Sequence, residues 1–113
     1  MTKAIDWNVI SSLTEEVGED AAKRLIKIFD DECTRTCEEL AEYAALGNLR
    51  QVEVIAHRFK SSSRQFGAAA LADVCRQLEE AAANGNDINK FLVMVIGASS
   101  EVRDMIATLD GLD

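Results

Sequence analysis

The chain has 113 residues, of which 48% are apolar and 28% charged, with a net charge of -8 and a pI near 4.6. This length predicts one domain, residues 1–113, and the interrupted hydrophobic stretches predict no membrane span. The acidic balance repels phosphate backbones and anionic lipids, so neither nucleic acid nor a membrane is an expected partner. The N-terminus lacks the pattern of a signal peptide, which predicts a cytoplasmic protein with reduced cysteines.

Two helices are predicted in the first half of the chain. Asp6 is a candidate N-cap for a short helix that ends near residue 17. Gly18 then separates it from a long helix with an acidic first turn, which suits the helix dipole. This second helix is predicted to run to about Leu46, and Trp7 of the first helix is expected to contact the core or cover its end.

Three further helices are predicted after residue 48. Asn48 and Gln51 resemble a capping box at the start of a helix over 49–66, which should stop near Gly67. A fourth helix ends at 84–86, and Asp87 caps a fifth that continues to the C-terminus. No stretch alternates in the manner of a strand. Long amphipathic helices with short connections favour an all-α, antiparallel up-down four-helix bundle, with the short first helix covering one end.

The single histidine, His57, lies on the third helix and is predicted to face solvent. At 100° per residue it points about 140° away from the centre of the apolar arc. Arg50, Lys60, Ser61 and Arg64 lie within about a quarter turn of it, so cations surround a possible nucleophile. Such a basic run suits a phosphoryl group or an acidic partner pocket, although an ordinary solvated helix face explains it as well.

A spaced pattern of small, apolar and polar residues extends from His57 into the fourth helix. Its members are Ala56, His57, Lys60, Ser62, Gly67, Ala68, Leu71, Cys75, Leu78 and Glu79. This pattern resembles that of histidine-containing phosphotransfer (HPt) domains of two-component phosphorelays. Two positions differ from the family: Phe59 stands where the family has an aliphatic residue, and Ser61 replaces its usual glycine.

The resemblance implies a phosphocarrier without kinase activity, since no phosphate-cradling glycine loop is present. His57 would accept a phosphoryl group from a receiver-domain aspartate and pass it to another receiver, with Lys60 stabilising the phosphoryl oxygens. The expected partners are receivers of response regulators and of a hybrid sensor histidine kinase, and the Mg²⁺ would belong to the receiver. No cofactor or metal is expected on this chain, and a monomer is sufficient. The expected docking residues are Arg50, Val54, Arg58, Ser61 and Arg64, and the expected structural ones are Gly67, Ala68, Leu71, Cys75 and Leu78.

Two other interpretations use the same residues. Cys33 and Cys37, four apart on the second helix, could form half of a zinc or redox site, although their places in or beside the apolar arc favour buried hydrophobic thiols. The chain could also be a helical adaptor that binds a receiver or kinase without accepting phosphate, in which case His57 is incidental.

Overall fold

The computed structural model describes residues 3–110, which form five α-helices. They are α1 (Trp7–Val17), α2 (Glu19–Ala45), α3 (Leu49–Gln65), α4 (Ala69–Ala83) and α5 (Asn89–Asp110). Within this part of the chain there is no strand, and no helix is both long enough and apolar enough to cross a membrane. The predicted all-α class and the five predicted helices are confirmed.

Helices α2 to α5 form an antiparallel four-helix bundle in which each helix packs against two neighbours, α2 and α4 being opposite. Turns of three, three and five residues connect them and reverse the chain each time. The 27 residues of α2 extend about 40 Å at 1.5 Å per residue, close to the 43 Å length of the molecule. The longest helix therefore sets the length of the bundle.

Side-chain caps fix three of the helix starts. Asp6 accepts a hydrogen bond from the Asn8 amide, and Asp87 accepts one from the Asn89 amide. The Asn48 side chain accepts from the Gln51 amide at 3.2 Å, as predicted. The capping box is only half formed, because the Asn48 amide donates to the carbonyl of Tyr43 and not to the Gln51 side chain.

Helix α1 covers one end of the bundle, where α2 begins and α3 turns into α4. Ile5, just before α1, is 1% exposed, and the Asp6 amide donates to the Gly67 carbonyl at 2.9 Å. Phe66 stacks on Phe29 of α2 with ring centroids 4.7 Å apart, and Trp7 packs half-buried against the core. These contacts confirm the prediction for Trp7 and show that Phe66 also packs against the core.

Every helix of the bundle contributes one apolar face to a continuous core. Each buried face follows the period predicted from the sequence, and on α5 the stripe continues past Gly97, which is exposed. The large side chains with less than 2% exposure include Phe29, Leu40, Val52, Phe59, Leu71, Leu78, Val95, Val102 and Ile106.

Candidate phosphotransfer site

The packing of α3 turns His57 toward solvent. Ala56 and Phe59 lie on the apolar arc of α3 and are 0% exposed in the core, whereas the imidazole of His57 lies on the opposite face of the helix. Its side chain is 61% exposed, which confirms the orientation predicted from the helical wheel. The ring is thus held on a rigid helix and remains accessible to a second molecule.

A carboxylate from the neighbouring helix connects His57 to Lys60. Glu79 follows the fully buried Leu78 on α4, so it lies at the edge of the interface that α4 forms with α3. Its Oε2 atom is 2.8 Å from His57 Nδ1, and its Oε1 atom accepts a hydrogen bond from Lys60 Nζ at 2.7 Å. The three side chains form a charged cluster across the α3–α4 groove.

The ionisation of Glu79 determines which histidine nitrogen is free. Burial opposes ionisation of this carboxyl, but the hydrogen bonds from Lys60 and His57 outweigh it and lower the pKa of Glu79 below its usual range. An ionised carboxylate can only accept hydrogen bonds, so His57 Nδ1 must carry the proton that it shares with Glu79. In the neutral ring, the lone pair is therefore on Nε2.

The prediction that Lys60 lies on the exposed side of α3 is wrong. Its side chain is only 14% exposed. Three residues after His57 the helix has turned by about 60°, which brings Lys60 to the side that α4 covers. The aliphatic part of the side chain is buried there, and the ammonium group pairs with Glu79 instead of lying free in solvent.

The predicted docking residues surround His57 on several sides. Arg50, Val54, Ser61 and Arg64 are all exposed, and Val54 is an apolar residue with 43% exposure. Arg50 and Val54 line a surface depression together with Glu53, His57 and Glu79. Ser61 donates to the backbone carbonyl of His57 at 3.3 Å.

Arg58, the fifth predicted docking residue, is 57% exposed but turns toward α2. Its Nη2 atom is 3.8 Å from Glu39 Oε2, a loose contact in water. Arg58 therefore lies on the α2 side of His57, whereas Lys60 and Glu79 lie on the α4 side. The positive charge around the histidine is spread over two grooves.

The five predicted structural residues lie where α3 turns into α4 and along the buried face of α4. Gly67 has a φ of +75° and contacts α1, and the other four are all 0% exposed. Those four are Ala68, Leu71, Cys75 and Leu78. They hold α4 against α3 and so fix the position of Glu79 relative to His57.

The cysteines lie in the core or pack against it. Cys33 and Cys75 are 0% exposed, and burial raises the pKa of each thiol to about 12. Cys37 is half-buried, and burial raises its pKa as well. Among residues 3–110, no three His, Cys, Asp or Glu side chains are grouped to hold a metal ion. The zinc or redox alternative has no support in this arrangement.

Comparisons with known proteins show which family the chain belongs to. Residues 24–111 match the family model for the Hpt domain. The chain belongs to the Hpt domain family. Two Hpt relatives, the phosphorelay proteins LuxU of Vibrio vulnificus strains YJ016 and CMCP6, are each 31% identical over 103 residues, 91% of this chain and 80% of theirs. A crystal structure of histidine-containing phosphotransfer protein B (HptB) from Pseudomonas aeruginosa PAO1 superimposes with a TM-score of 0.92 at 24% identity, covering 100% of this chain and 99% of that one.

Glu79 is the site residue that the sequence reasoning missed. It stands in register with the Hpt pattern, but the pattern alone gives it no role in the site. A signal was available, since Lys60 sits close to the apolar arc and needs an anionic partner if a neighbouring helix covers it. The only acidic residue between positions 50 and 64 is Glu53, so a carboxylate on another helix was the natural candidate.

Proposed function

We propose that His57 carries the phosphoryl group and that the group is bound through Nε2. Membership of the Hpt family and the phosphorelay relatives make the chain a phosphocarrier in a His–Asp phosphorelay. The observation that supports Nε2 is the 2.8 Å contact of Nδ1 with the ionised Glu79, which puts the proton of the neutral ring on Nδ1 and its lone pair on Nε2, on an exposed side chain. Nε2 is on the more exposed side chain, whereas both carboxylate oxygens of Glu79 are already in contact with His57 and Lys60.

Transfer in this arrangement needs no general base. The Nε2 lone pair attacks phosphorus of a receiver aspartyl phosphate in line, an N–P bond forms, and the bond from phosphorus to the aspartyl oxygen breaks. The carboxylate leaves with its electron pair, and the proton on Nδ1 stays in place. The reverse step returns the phosphoryl group to the aspartate of another receiver.

Lys60 stabilises the phosphoryl oxygens during this transfer. An ammonium group has three donors, of which one is occupied by Glu79 in the free protein. The other two can bind an arriving phosphoryl group one helical turn from His57, where they offset charge in the transition state. The ion pair with Glu79 also limits the motion of the lysine, which lowers the entropy lost when the phosphoryl group is bound.

The partners are receiver domains of response regulators and of a hybrid sensor histidine kinase. Their acidic pocket would meet Arg50, Arg58 and Arg64, with Val54 and Ser61 closest to the approaching surface. The Mg²⁺ that the transfer requires would be held by the receiver's carboxylates. We further propose that the chain acts as a monomer in the cytoplasm and has no kinase activity of its own.

Incubation with a phosphorylated receiver and Mg²⁺ separates the carrier from the adaptor. A carrier acquires radioactive label from the receiver, and that label is lost in acid and stable in alkali. An adaptor binds the same receiver without acquiring label, which would refute the proposal. His57→Gln is the matched variant, and it should bind the receiver but remain unlabelled.

A further inference from the structure

Loading His57 changes the charge that Glu79 faces. In the neutral form of the unphosphorylated ring, Nδ1 carries the proton and Nε2 the lone pair. Once Nε2 is bonded to phosphorus and Nδ1 keeps its proton, the ring becomes an imidazolium cation. Glu79 Oε2 is 2.8 Å from that protonated nitrogen, so an ordinary hydrogen bond becomes an ion pair.

The Nδ1 proton determines how well the loaded ring gives up phosphorus. With the proton present, the leaving group in the next transfer is neutral imidazole. Without it, the leaving group would be an imidazolate anion, which is far more basic and leaves poorly. The carrier therefore needs to keep this proton throughout the life of the phosphohistidine.

We infer that Glu79 is a positioning residue that retains the Nδ1 proton on phosphorylated His57 and so keeps the phosphoryl group transferable. This inference rests on the proposed function, and it adds a condition for the transfer from phosphorylated His57 to the next receiver. Glu79 suits this role because it is only 21% exposed, which weakens solvent screening of the ion pair. It is also anchored by Lys60 and does not depend on His57 alone for its position.

Charged groups of α3 also lie near the ring, and Arg58, which follows His57, pairs loosely with Glu39 of α2. Lys60 shares Glu79 with the ring, and its positive charge disfavours a second cation nearby. Arg50 and Glu53 line the same depression with opposite charges. The phosphoryl group itself is anionic and favours the protonated ring in every variant. Glu79 and Lys60 should therefore act on the Nδ1 proton in opposite directions.

The test follows proton loss from the loaded ring by ¹⁵N NMR. The protein is labelled with ¹⁵N-histidine and phosphorylated with phosphoramidate, and the Nδ1 signal is followed as pH rises. Glu79→Gln keeps an acceptor at Nδ1 but removes the charge, and it should lower the midpoint of proton loss by about one pH unit. Lys60→Gln leaves the carboxylate in place and should raise the midpoint.

The matched control is Glu80→Gln, the neighbouring acid on α4, which is 61% exposed and pairs with Arg76. It removes the same charge from the same helix and should leave the midpoint unchanged. In the outgoing direction, the ratio of the Glu79→Gln transfer rate to the wild-type rate should fall as pH rises through the midpoint of the variant. The fall should be about tenfold, in proportion to the fraction of ring that has lost its proton.

An unchanged midpoint in Glu79→Gln would overturn the inference, as would a midpoint that moves in the same direction in Glu79→Gln and in Lys60→Gln. Glu79→Gln could be unfolded at the temperature of the assay. In that case Lys60→Gln is the remaining test, and a midpoint that is lowered in Lys60→Gln refutes the inference. The proposed function has a different refuting outcome, which is that the wild-type protein acquires no phosphoryl group on His57.

Discussion

Gly67 is expected to be the most sensitive position outside the core, because it combines an unusual backbone conformation with a close contact. Its φ of +75° lies in the left-handed region, where a side chain costs roughly 1–2 kcal/mol. A Cβ atom would lie 2.9 Å from Val9 Cβ and 3.1 Å from the Asp6 carbonyl oxygen. Neither neighbouring atom is at the end of a flexible side chain, so α1 would have to move.

The expected cost of Gly67→Ala follows from these two effects. Relief of such overpacking typically costs about 1–3 kcal/mol, which together with the backbone term gives a loss of about 2–5 kcal/mol. Movement of α1 would also weaken the bond from the Asp6 amide to the Gly67 carbonyl. Gly85→Ala is the matched control, since Gly85 has a φ of +70° but no atom within 4 Å of the added Cβ. It should lose only about 1–2 kcal/mol.

Urea denaturation followed by far-ultraviolet circular dichroism measures both losses on one scale. The prediction requires similar m values and a clearly lower midpoint for Gly67→Ala than for Gly85→Ala. Equal losses in the two variants would refute the argument from contact with α1. They would leave only the backbone conformation as the reason for glycine at this position.

Three further outcomes are expected. Lys60→Ala should slow transfer by about 10- to 100-fold, measured with a labelled receiver. It should also lower the free energy of unfolding by about 1 kcal/mol, because the lysine is part-buried and paired. An unchanged transfer rate would make Lys60 a structural residue only. Ser61→Tyr should still accept a phosphoryl group from phosphoramidate, but its exchange with a receiver should be slower by about tenfold or more, because the larger side chain holds the receiver away from His57. Ser61→Gly should exchange at least as fast as the parent. Normal exchange by Ser61→Tyr would place the docking surface elsewhere. The free energy of unfolding should fall as pH rises from about 9 toward 12, because Cys33 and Cys75 ionise earlier in the unfolded chain. The fall should be smaller in the double alanine variant, in which only Cys37 keeps a pKa raised by burial; an equal fall would contradict the explanation.

The fold could be predicted from the sequence because the signals that fix helix ends are local. Asp6, Asn48 and Asp87 are caps that act within three residues, and the glycines after the helices adopt the left-handed conformation that few other residues tolerate. The apolar period then determines which face is buried. For this reason the orientation of His57 was also predictable, since it depends only on the rotation of α3.

The contacts of Lys60 and Glu79 could not be predicted in the same way. Both residues lie at the boundary of an apolar arc, where the position of the neighbouring helix decides whether a side chain is covered. Periodicity within one helix contains no information on the register between α3 and α4. The pairing of His57 with a residue 22 positions further along the chain therefore required the structure.

In the proposed phosphorylated state, Nε2 of His57 carries the phosphoryl group while Nδ1 keeps its proton. The most direct test is ³¹P and ¹⁵N NMR of ¹⁵N-histidine-labelled protein that has been phosphorylated by a receiver in the presence of Mg²⁺. Because the chain has one histidine, each ring signal is unambiguous. We expect phosphorus coupled directly to Nε2 and a proton on Nδ1. Coupling to Nδ1, or a phosphorylated protein without an N–P bond, would contradict the account.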